Sequence, residues 1–358
     1  MKAYHNHSEH KHSKKTSLTG KRHLALAVFL LLMIGLLALV GIMIGVSDIS
    51  PGQVLRILLH SFGPDAIAHE MVVDWRSSQE VIVTELRSPR MVLAMLTGIG
   101  LAVSGAALQA ATRNPLTDPF LLGVSSGASM GAVLVISHTG MLVGSYTIPV
   151  FSFIGALISF FLLLVLLRRP KNQTPERLVL SGVAISFLLM AATNALIFLG
   201  DQRAAQSVVF WMLGGLGRAT WDLLLLPSIC VCLGVLALFW NARNLNALMM
   251  GQETASALGI SVRRTQVIIL LLATLVTSLI VSLTGTIGFV GLVIPHIMRT
   301  YVGGDNRVLL FFSALAGAAF MLGVDIISRQ LLAPQELPIG IITGAVGGTY
   351  FCYLLARR

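Results

Sequence analysis

The chain has 358 residues, of which 55% are hydrophobic and only 11% are charged, whereas a soluble globular domain carries roughly 25% charged residues. That deficit excludes a water-soluble protein, and apolar runs of about 20 residues without strict alternation predict membrane-spanning helices rather than barrel strands. The net charge of +10 is expected of a membrane protein whose Lys and Arg collect in cytoplasmic loops, so we predict no nucleic-acid partner.

The first 23 residues form a basic tail rich in histidine. These histidines could sequester a metal ion, but nothing nearby fixes a coordination geometry, so we expect a solvated, disordered cytoplasmic leader. The apolar run that follows is longer than the core of a signal peptide and lacks a small-x-small cleavage site. We therefore predict a retained first helix at 24–46. The histidines are His5, His7, His10 and His12.

The remaining apolar runs predict one membrane domain, residues 24–358, with about ten spanning helices. The predicted span 288–301 is short and contains Pro295 and His296. The segment 203–217 is too short and too polar at its ends to cross, so we predict an interfacial helix on the outer side. The predicted spans are 24–46, 88–111, 117–136, 147–167, 178–200, 221–240, 265–285, 288–301, 308–328 and 339–356.

The distribution of basic residues predicts the orientation of the chain. With both termini in the cytoplasm and ten crossings, 18 of the 25 Lys and Arg residues fall in inner segments, as the positive-inside rule requires. Most acidic residues fall outside under the same topology. The outer arginines are therefore not explained by orientation, and we expect another role for them.

The stretch from Leu86 to Gly127 predicts a membrane hairpin. The sequence Leu86-Arg-Ser-Pro-Arg90 opens an apolar run of about one bilayer thickness, and Arg113-Asn-Pro-Leu116 closes it. The run is rich in Gly, Ala and Ser, which let membrane helices approach closely.

Two further blocks of sequence lie near the C-terminus. One is Gly285-Thr-Ile-Gly-Phe-Val-Gly-Leu-Val-Ile-Pro-His296 with Arg299, and the other is Asp325-Ile-Ile-Ser-Arg329 followed by Glu336-Leu-Pro-Ile-Gly-Ile-Ile-Thr343. The glycines of the first block favour a bent or broken segment, which transporters tolerate where it lines a cavity.

Together the three blocks resemble the FecCD-type permease subunits of ABC importers for iron-siderophores, haem and vitamin B12. The resemblance implies an all-α polytopic fold of the type II importer class, in the bacterial plasma membrane. It also implies a second permease copy or a paralogue, cytoplasmic ABC ATPase subunits, and an extracytoplasmic substrate-binding protein. The chain itself contains no GxxxxGK[ST] phosphate loop, so we predict no enzymatic activity and no bound cofactor or metal.

The segment 241–264 is the longest internal cytoplasmic segment in the predicted topology. Its apolar residues recur at helical spacing around Gly251, which predicts a short amphipathic helix outside the membrane. Such a helix docks in a groove of a partner or lies on lipid headgroups. The resemblance favours coupling to the ATPase. It implies that the following residues take part in that contact: Leu245, Leu248, Met249, Gly251, Glu253, Ala255, Leu258 and Gly259.

The outer arginines Arg87, Arg90 and Arg329 match family positions that pair with glutamates of the binding protein. Arginine suits this role because its planar guanidinium holds a carboxylate through two hydrogen bonds. Snorkelling at helix ends is an alternative for all three. For Arg329, pairing with Asp325 one helical turn earlier is a further alternative.

The resemblance also implies a gate and a pathway. Asn114 and Leu116 match a cytoplasmic gate, although a rigid proline turn would account for the same sequence. A second gate element is expected before the helix 178–200, where Thr174-Pro-Glu176 departs from the small hydroxyl residues of some relatives. On that helix Ser186, Thr193 and Asn194 are candidates for pathway lining, with hydrogen bonding between helices as the alternative.

The cargo follows from the resemblance alone. Ferric siderophore is the commonest substrate class among similar permeases, and haem and cobalamin are the alternatives. An ion-coupled secondary transporter is a competing class, which requires ionisable groups deep in the membrane. The only acidic candidate for that role is Asp325.

Overall fold

A computed structural model of the protein describes residues 2–45, 47, 49–64, 73–168 and 175–357. These residues form an all-helical membrane protein, as the sequence predicts. Its α-helices are α1 (Lys2–Met43), α2 (Pro51–Phe62), α3 (Ser77–Val81), α4 (Ser88–Thr112), α5 (Val124–Leu134), α6 (Thr147–Leu166), α7 (Pro175–Leu199), α8 (Ala205–Leu213), α9 (Trp221–Trp240), α10 (Ala242–Met249), α11 (Gln252–Ala257), α12 (Val262–Thr284), α13 (Val290–Val302), α14 (Asn306–Gln330) and α15 (Ile339–Ala356).

Eight helical segments of the described residues are long and apolar enough to cross a membrane. The other two predicted spans are present as shorter helices, α5 and α13. The run 117–136 is shortened because Pro119 begins a 3-10 turn and Gly123 adopts φ 82, so α5 starts only at Val124. The eight segments are Gly20–Met43, Ser77–Thr112, Gly144–Leu166, Arg177–Leu199, Trp221–Trp240, Val262–Thr284, Asn306–Gln330 and Ile339–Ala356.

The first helix is longer than the sequence predicts. It begins at Lys2, so the tail expected to be disordered is helical and continuous with the first span. The tail contains no proline, and its first glycine is Gly20, so no helix-breaking residue separates it from the apolar run. The side chains of His5, His7, His10 and His12 lie outside the described residues.

The centre of the bundle is the contact between α4 and α14. These helices meet at Gly98 and Gly317, where a Cβ on either residue would overlap the carbonyl oxygen of the other. A Cβ on Gly105 of α4 would likewise overlap the carbonyl oxygen of Gly291 in α13. Glycine therefore permits the backbones to touch, as small residues do at membrane helix interfaces.

Both α4 and α14 run the length of the bundle, about 37 Å for 25 residues. They thus define two ends of the molecule. Arg87, Arg90 and Arg329 lie at one end, named here the arginine end. The turn after α4, with Asn114, lies at the other, named the turn end.

Candidate functional site

A buried carboxylate joins two arginines at the arginine end. Arg90 Nε of α4 donates to Asp325 Oδ1 of α14 at 2.7 Å, and Arg329 Nε donates to Asp325 Oδ2 at 2.9 Å. The side chain of Asp325 is 0% exposed. Each of its oxygens thus carries a charge-assisted hydrogen bond, which offsets the cost of burying the charge.

The terminal nitrogens of Arg87 and Arg329 donate to backbone carbonyl groups near the end of α1. Arg87 donates to the carbonyl oxygens of Ile42, Met43 and Ser47, at and beyond the end of α1, at 2.8 to 3.1 Å. Arg329 donates to Gly41 and Ile44 of the same segment at 2.7 Å. These bonds satisfy carbonyl groups that have no partner within the helix.

Glu336 completes the cluster from the loop before α15. Its Oε1 accepts from Arg90 Nη1 at 2.7 Å, and its side chain is 51% exposed. The loop is held by hydrogen bonds between Ser328 and Leu337 and from Ile339 N to Gly214 O. Glu336 is therefore the accessible member of an otherwise buried cluster.

A cavity of about 500 Å3 opens beside this cluster. Its lining includes all three predicted docking residues, Arg87, Arg90 and Arg329, together with Glu336. The structure thus brings the three arginines together, but each is less than a tenth exposed. The pairing of Arg329 with Asp325, which the sequence left open as an alternative, is present.

The turn after α4 is rigid and places both predicted gate residues at the turn end. Arg113 adopts φ 53, and the Asn114 side chain accepts from Leu116 N at 2.9 Å. Thr112 and Thr117 then join the two sides of the turn at 2.9 Å. Leu116 projects as an exposed side chain and Asn114 is partly buried. The second gate element at 174–176 lies outside the residues whose side chains are described.

The pathway candidates on α7 differ in their surroundings. The Ser186 hydroxyl donates to Gly182 O at 2.9 Å and that of Thr193 to Leu189 O at 2.8 Å, both within the helix. Thr193 is buried, whereas Asn194 is exposed. Asn194 therefore offers the most accessible polar group of the three.

The glycine block near the C-terminus forms a broken segment, as its sequence favours. Helix α12 ends at Thr284, Gly285 adopts φ 69, and Phe289 adopts φ 68 before α13 begins. A left-handed phenylalanine is strained and persists only where the surroundings hold it. A cavity of about 380 Å3 lies beside this segment, lined by Asp118, Phe120, Met212, Leu213, Thr286, Gly288, Phe289, Leu292, Gly340, Ile341 and Gly344. Sequence reasoning missed Phe289, because no pattern signals a non-glycine residue at positive φ.

The predicted coupling segment folds as two short helices, α10 and α11, at the turn end. Leu245, Leu248 and Ala255 are buried in the protein's own core and so are not available to a partner. The exposed apolar side chains are Met249, Met250 and Leu258, the last two 68% and 62% exposed. Gly251 and Gly259 adopt φ 113 and φ 80 at the ends of α11, and Glu253 is exposed beside them. The amphipathic pattern predicted one continuous contact face, but the inner part of that face packs on the chain itself.

Asn246 joins this segment to the start of α14. It donates to Asp305 Oδ1 at 2.7 Å, and its own oxygen accepts from N and Nδ2 of the buried Asn306, both at 2.8 Å. Asp305 also caps α14 by accepting from Arg307 N at 3.0 Å. The hydrogen bonds from Asn246 and Arg307 lower the pKa of the Asp305 carboxyl. No sequence pattern pointed to Asn246, since its partners lie about 60 residues away.

Comparison with known proteins identifies relatives along nearly the whole chain. The profile of the FecCD transport family matches residues 30–357. The hemin transport system permease protein of Yersinia pestis is 36% identical over 333 residues, which cover 92% of this chain and 95% of that protein. The cobalamin import system permease protein of Halobacterium salinarum is 40% identical over 279 residues, which cover 78% and 74% respectively.

A solved structure has the same fold. It is a metal-chelate type ABC transporter in an inward-facing conformation, 29% identical to this chain, with a TM-score of 0.77. The match covers 92% of this chain and 98% of the other.

Proposed function

The chain belongs to the FecCD transport family, and from this membership we propose that it is the permease subunit of an importer that brings ferric siderophore into the cytoplasm. The match across residues 30–357 carries the proposal. The broken segment at Gly285–Phe289 with its cavity supports it, because interrupted helices in transporters occur where the backbone lines a cavity.

The cargo class follows from the chemistry that the relatives share. One relative is named for hemin, a second for cobalamin, and the solved structure for a metal chelate. In each the metal is enclosed by a large organic ligand. We propose a ferric siderophore as the cargo, and haem or cobalamin is the second candidate because two relatives carry those names.

The energy source in this proposal is a pair of ABC ATPase subunits at the turn end. The exposed side chains Met249, Met250 and Leu258, with Glu253, form the surface offered to them. Exposed apolar groups on a short helix outside the membrane suit a partner groove. Leu245, Leu248 and Ala255 support that surface from below, and Gly251 and Gly259 permit the turns around α11.

The binding protein docks at the arginine end in this proposal. A carboxylate of the partner would enter the cavity beside Arg87, Arg90 and Arg329 and take the place of Glu336 on Arg90. The exchange replaces one charge-assisted hydrogen bond with another, so its net free-energy change is small. Glu336 is exposed enough to leave.

Two copies of the chain, or this chain and a paralogue, would enclose the pathway between them. Asn114 and Leu116 would narrow its inner end, and Asn194, with Ser186 and Thr193 on the same helix, would contribute to its wall. We place both termini in the cytoplasm and the arginine end outside, in the bacterial plasma membrane, because most basic residues then fall inside.

Reconstitution tests the proposal directly. Vesicles that contain the chain, its ATPase and its binding protein should accumulate labelled ferric siderophore only when ATP is supplied. Vesicles with the chain alone should not concentrate cargo under a proton or sodium gradient. Uphill accumulation in that second preparation would establish a secondary transporter, a class that the pairing of Asp325 with two arginines already disfavours.

Uptake by a deletion strain distinguishes the cargoes. Restoring the gene should restore uptake of labelled ferric siderophore and leave uptake of haem and cobalamin at the background of the strain. If haem or cobalamin uptake is restored instead, ferric siderophore is ruled out as the cargo.

A further inference from the structure

Two arginines meet at the turn end, between the end of α6 and the start of α12. Arg168 follows the last turn of α6, and Arg263 lies in the first turn of α12. Arg263 Nη2 donates to the Arg168 carbonyl oxygen at 3.2 Å, which holds the two residues side by side. Both side chains are exposed, and neither takes part in any of the ion pairs among the described residues. Among the residues whose side chains are described, the pair therefore presents positive charge without an acidic partner.

An apolar cavity of about 160 Å3 lies directly beneath the pair. Besides the two arginines, the described residues of its lining include two polar side chains, Thr112 and Gln266, and no acidic one. The side-chain amide nitrogen of Gln266 already donates to Ala111 O at 3.1 Å. The remaining lining is formed by Ala111, Leu164, Leu167, Leu178, Val267 and Leu270.

Apolar side chains follow the cavity along both helices and form two stripes. On α12, Arg263, Val267 and Leu271 follow one another at intervals of four residues, so they share one face of the helix. On α6, Phe161 and Leu164 lie three residues apart on one face, and Leu164 lines the cavity together with Arg168, just beyond the helix end. Leu271 and Phe161 are 39% and 60% exposed. The stripe on α12 extends about 12 Å from Arg263, and the stripe on α6 is slightly shorter.

We propose that this groove binds one anionic phospholipid. The phosphate lies between Arg168 and Arg263, and the acyl chains lie along the two apolar stripes. The guanidinium groups of the two arginines provide hydrogen bonds and positive charge for a phosphate. The apolar stripes bury the hydrocarbon of the acyl chains. The inference depends only on the chain lying in a membrane and not on its proposed transport function.

A second copy of this chain is a poorer occupant of the groove. In a two-fold symmetric contact the same patch meets itself, so the arginine pairs of the two copies would face each other. Like charges in that position repel. An anionic lipid supplies the opposite charge and the apolar chain together.

Native mass spectrometry of the protein released from nanodiscs tests the site. Discs made from equal amounts of phosphatidylglycerol and phosphatidylcholine should yield a chain that retains one phosphatidylglycerol. The double variant Arg168→Gln/Arg263→Gln should retain it about 25-fold less, since each basic residue near a membrane surface contributes about a fivefold preference for anionic lipid. Arg264→Gln is the matched control, because Arg264 is exposed beside Arg263 but does not line the cavity.

A variant that leaves the charges intact tests the apolar part. Val267→Trp fills the groove from its exposed wall and should also lower phosphatidylglycerol retention, with an unchanged melting temperature in detergent. Equal retention by the double variant and Arg264→Gln, or equal retention of the two lipids by the native chain, overturns the proposal. Displacement of the lipid by millimolar inorganic phosphate would identify a site for free phosphate and likewise overturn it.

Discussion

Arg90 lies 2.7 Å from Asp325 although 235 positions separate the two residues in the sequence. Arg329 occupies the other oxygen of the same carboxylate. The start of α4 and the end of α14 are thus joined by a buried group of two positive charges and one negative charge. Glu336, at the surface, provides the second negative charge. This arrangement determines what each substitution at the arginine end should do.

Asp325→Asn should destabilise the protein severely. The substitution leaves the guanidinium groups of Arg90 and Arg329 buried without their shared counter-ion, and breaking a buried pair costs about 3–5 kcal/mol. Thermal unfolding in detergent measures the loss. Asp74→Asn is the control, because Asp74 pairs with Arg56 at 2.8 Å but both are about two-fifths exposed, so its loss should cost at most about 1 kcal/mol. Similar melting temperatures for the two variants would contradict the role of Asp325.

Glu336→Gln should strengthen docking of the binding protein. Glu336 holds Arg90 in the free chain, so a partner's carboxylate must compete with it, and the neutral amide competes less. We expect severalfold tighter binding, measured by the dissociation constant between the binding protein and the permease in nanodiscs. Asp74→Asn removes the same charge away from the cavity and should leave the constant unchanged. Weaker binding by Glu336→Gln would mean that Glu336 contacts the partner itself.

Leu258→Glu should abolish copurification with the ATPase while the chain stays folded. Leu258 is 62% exposed, so a charge there disturbs only a partner. Leu248→Glu should unfold the chain instead, because Leu248 is buried in the core and the charge would have no partner. The melting temperature of each purified variant separates the two effects. Intact copurification of Leu258→Glu would remove this residue from the coupling surface.

Gly317→Ala and Gly323→Ala should have opposite effects, although both lie on α14. A Cβ on Gly317 overlaps the Gly98 carbonyl oxygen, whereas nothing lies within 4 Å of a Cβ on Gly323. We expect Gly317→Ala to lower the free energy of unfolding by about 1–3 kcal/mol through overpacking. Gly323→Ala should raise it by about 0.5–1 kcal/mol by restricting the unfolded chain. Melting temperatures check both signs. A neutral Gly317→Ala would show that α4 and α14 can separate without cost.

The junction of Asn246 with α14 should weaken in acid. Hydrogen bonds lower the pKa of Asp305 in the folded protein below its ordinary value of 3.8. A lowered folded pKa stabilises the protein above the unfolded pKa, and this contribution is lost as the pH falls through the folded pKa. Stability measured from pH 6 downwards should therefore fall less steeply in Asn246→Ala than in the native chain. Parallel curves would contradict the contribution of Asn246.

Much of the fold could be predicted from hydrophobic runs and helix-breaking residues. Each of the eight long spanning segments overlaps a predicted span, because a run of about 20 apolar residues has few alternatives in a membrane. The shorter α5 and α13 overlap the other two predicted spans but begin later, where Gly123 and Phe289 take positive φ. Such backbone angles depend on packing, so the positions of these helix starts could not be read from composition.

The candidate site was only partly predictable. The motifs identified Arg87, Arg90, Arg329 and the segment 241–264, and the structure places the three arginines around one cavity. The helical spacing of Leu245, Leu248 and Ala255 predicted that they share a buried helix face. Such spacing does not show whether that face packs against the chain itself or against a partner. Only the packing shows that these side chains lie against the chain's own core and that Met249, Met250 and Leu258 are left outside.

The sequence by itself determined that this protein lies in a membrane as a bundle of helices and that it is similar to a family of importers, because both follow from local composition and from residues in fixed order. The tertiary structure decided the partners of each charge: Asp325 between Arg90 and Arg329, Glu336 on Arg90, and Asn246 on Asp305. Apart from the pair within α14, these contacts join residues roughly 60 to 250 positions apart. Such pairings depend on how helices pack, and a one-dimensional pattern holds no information on which distant residues meet.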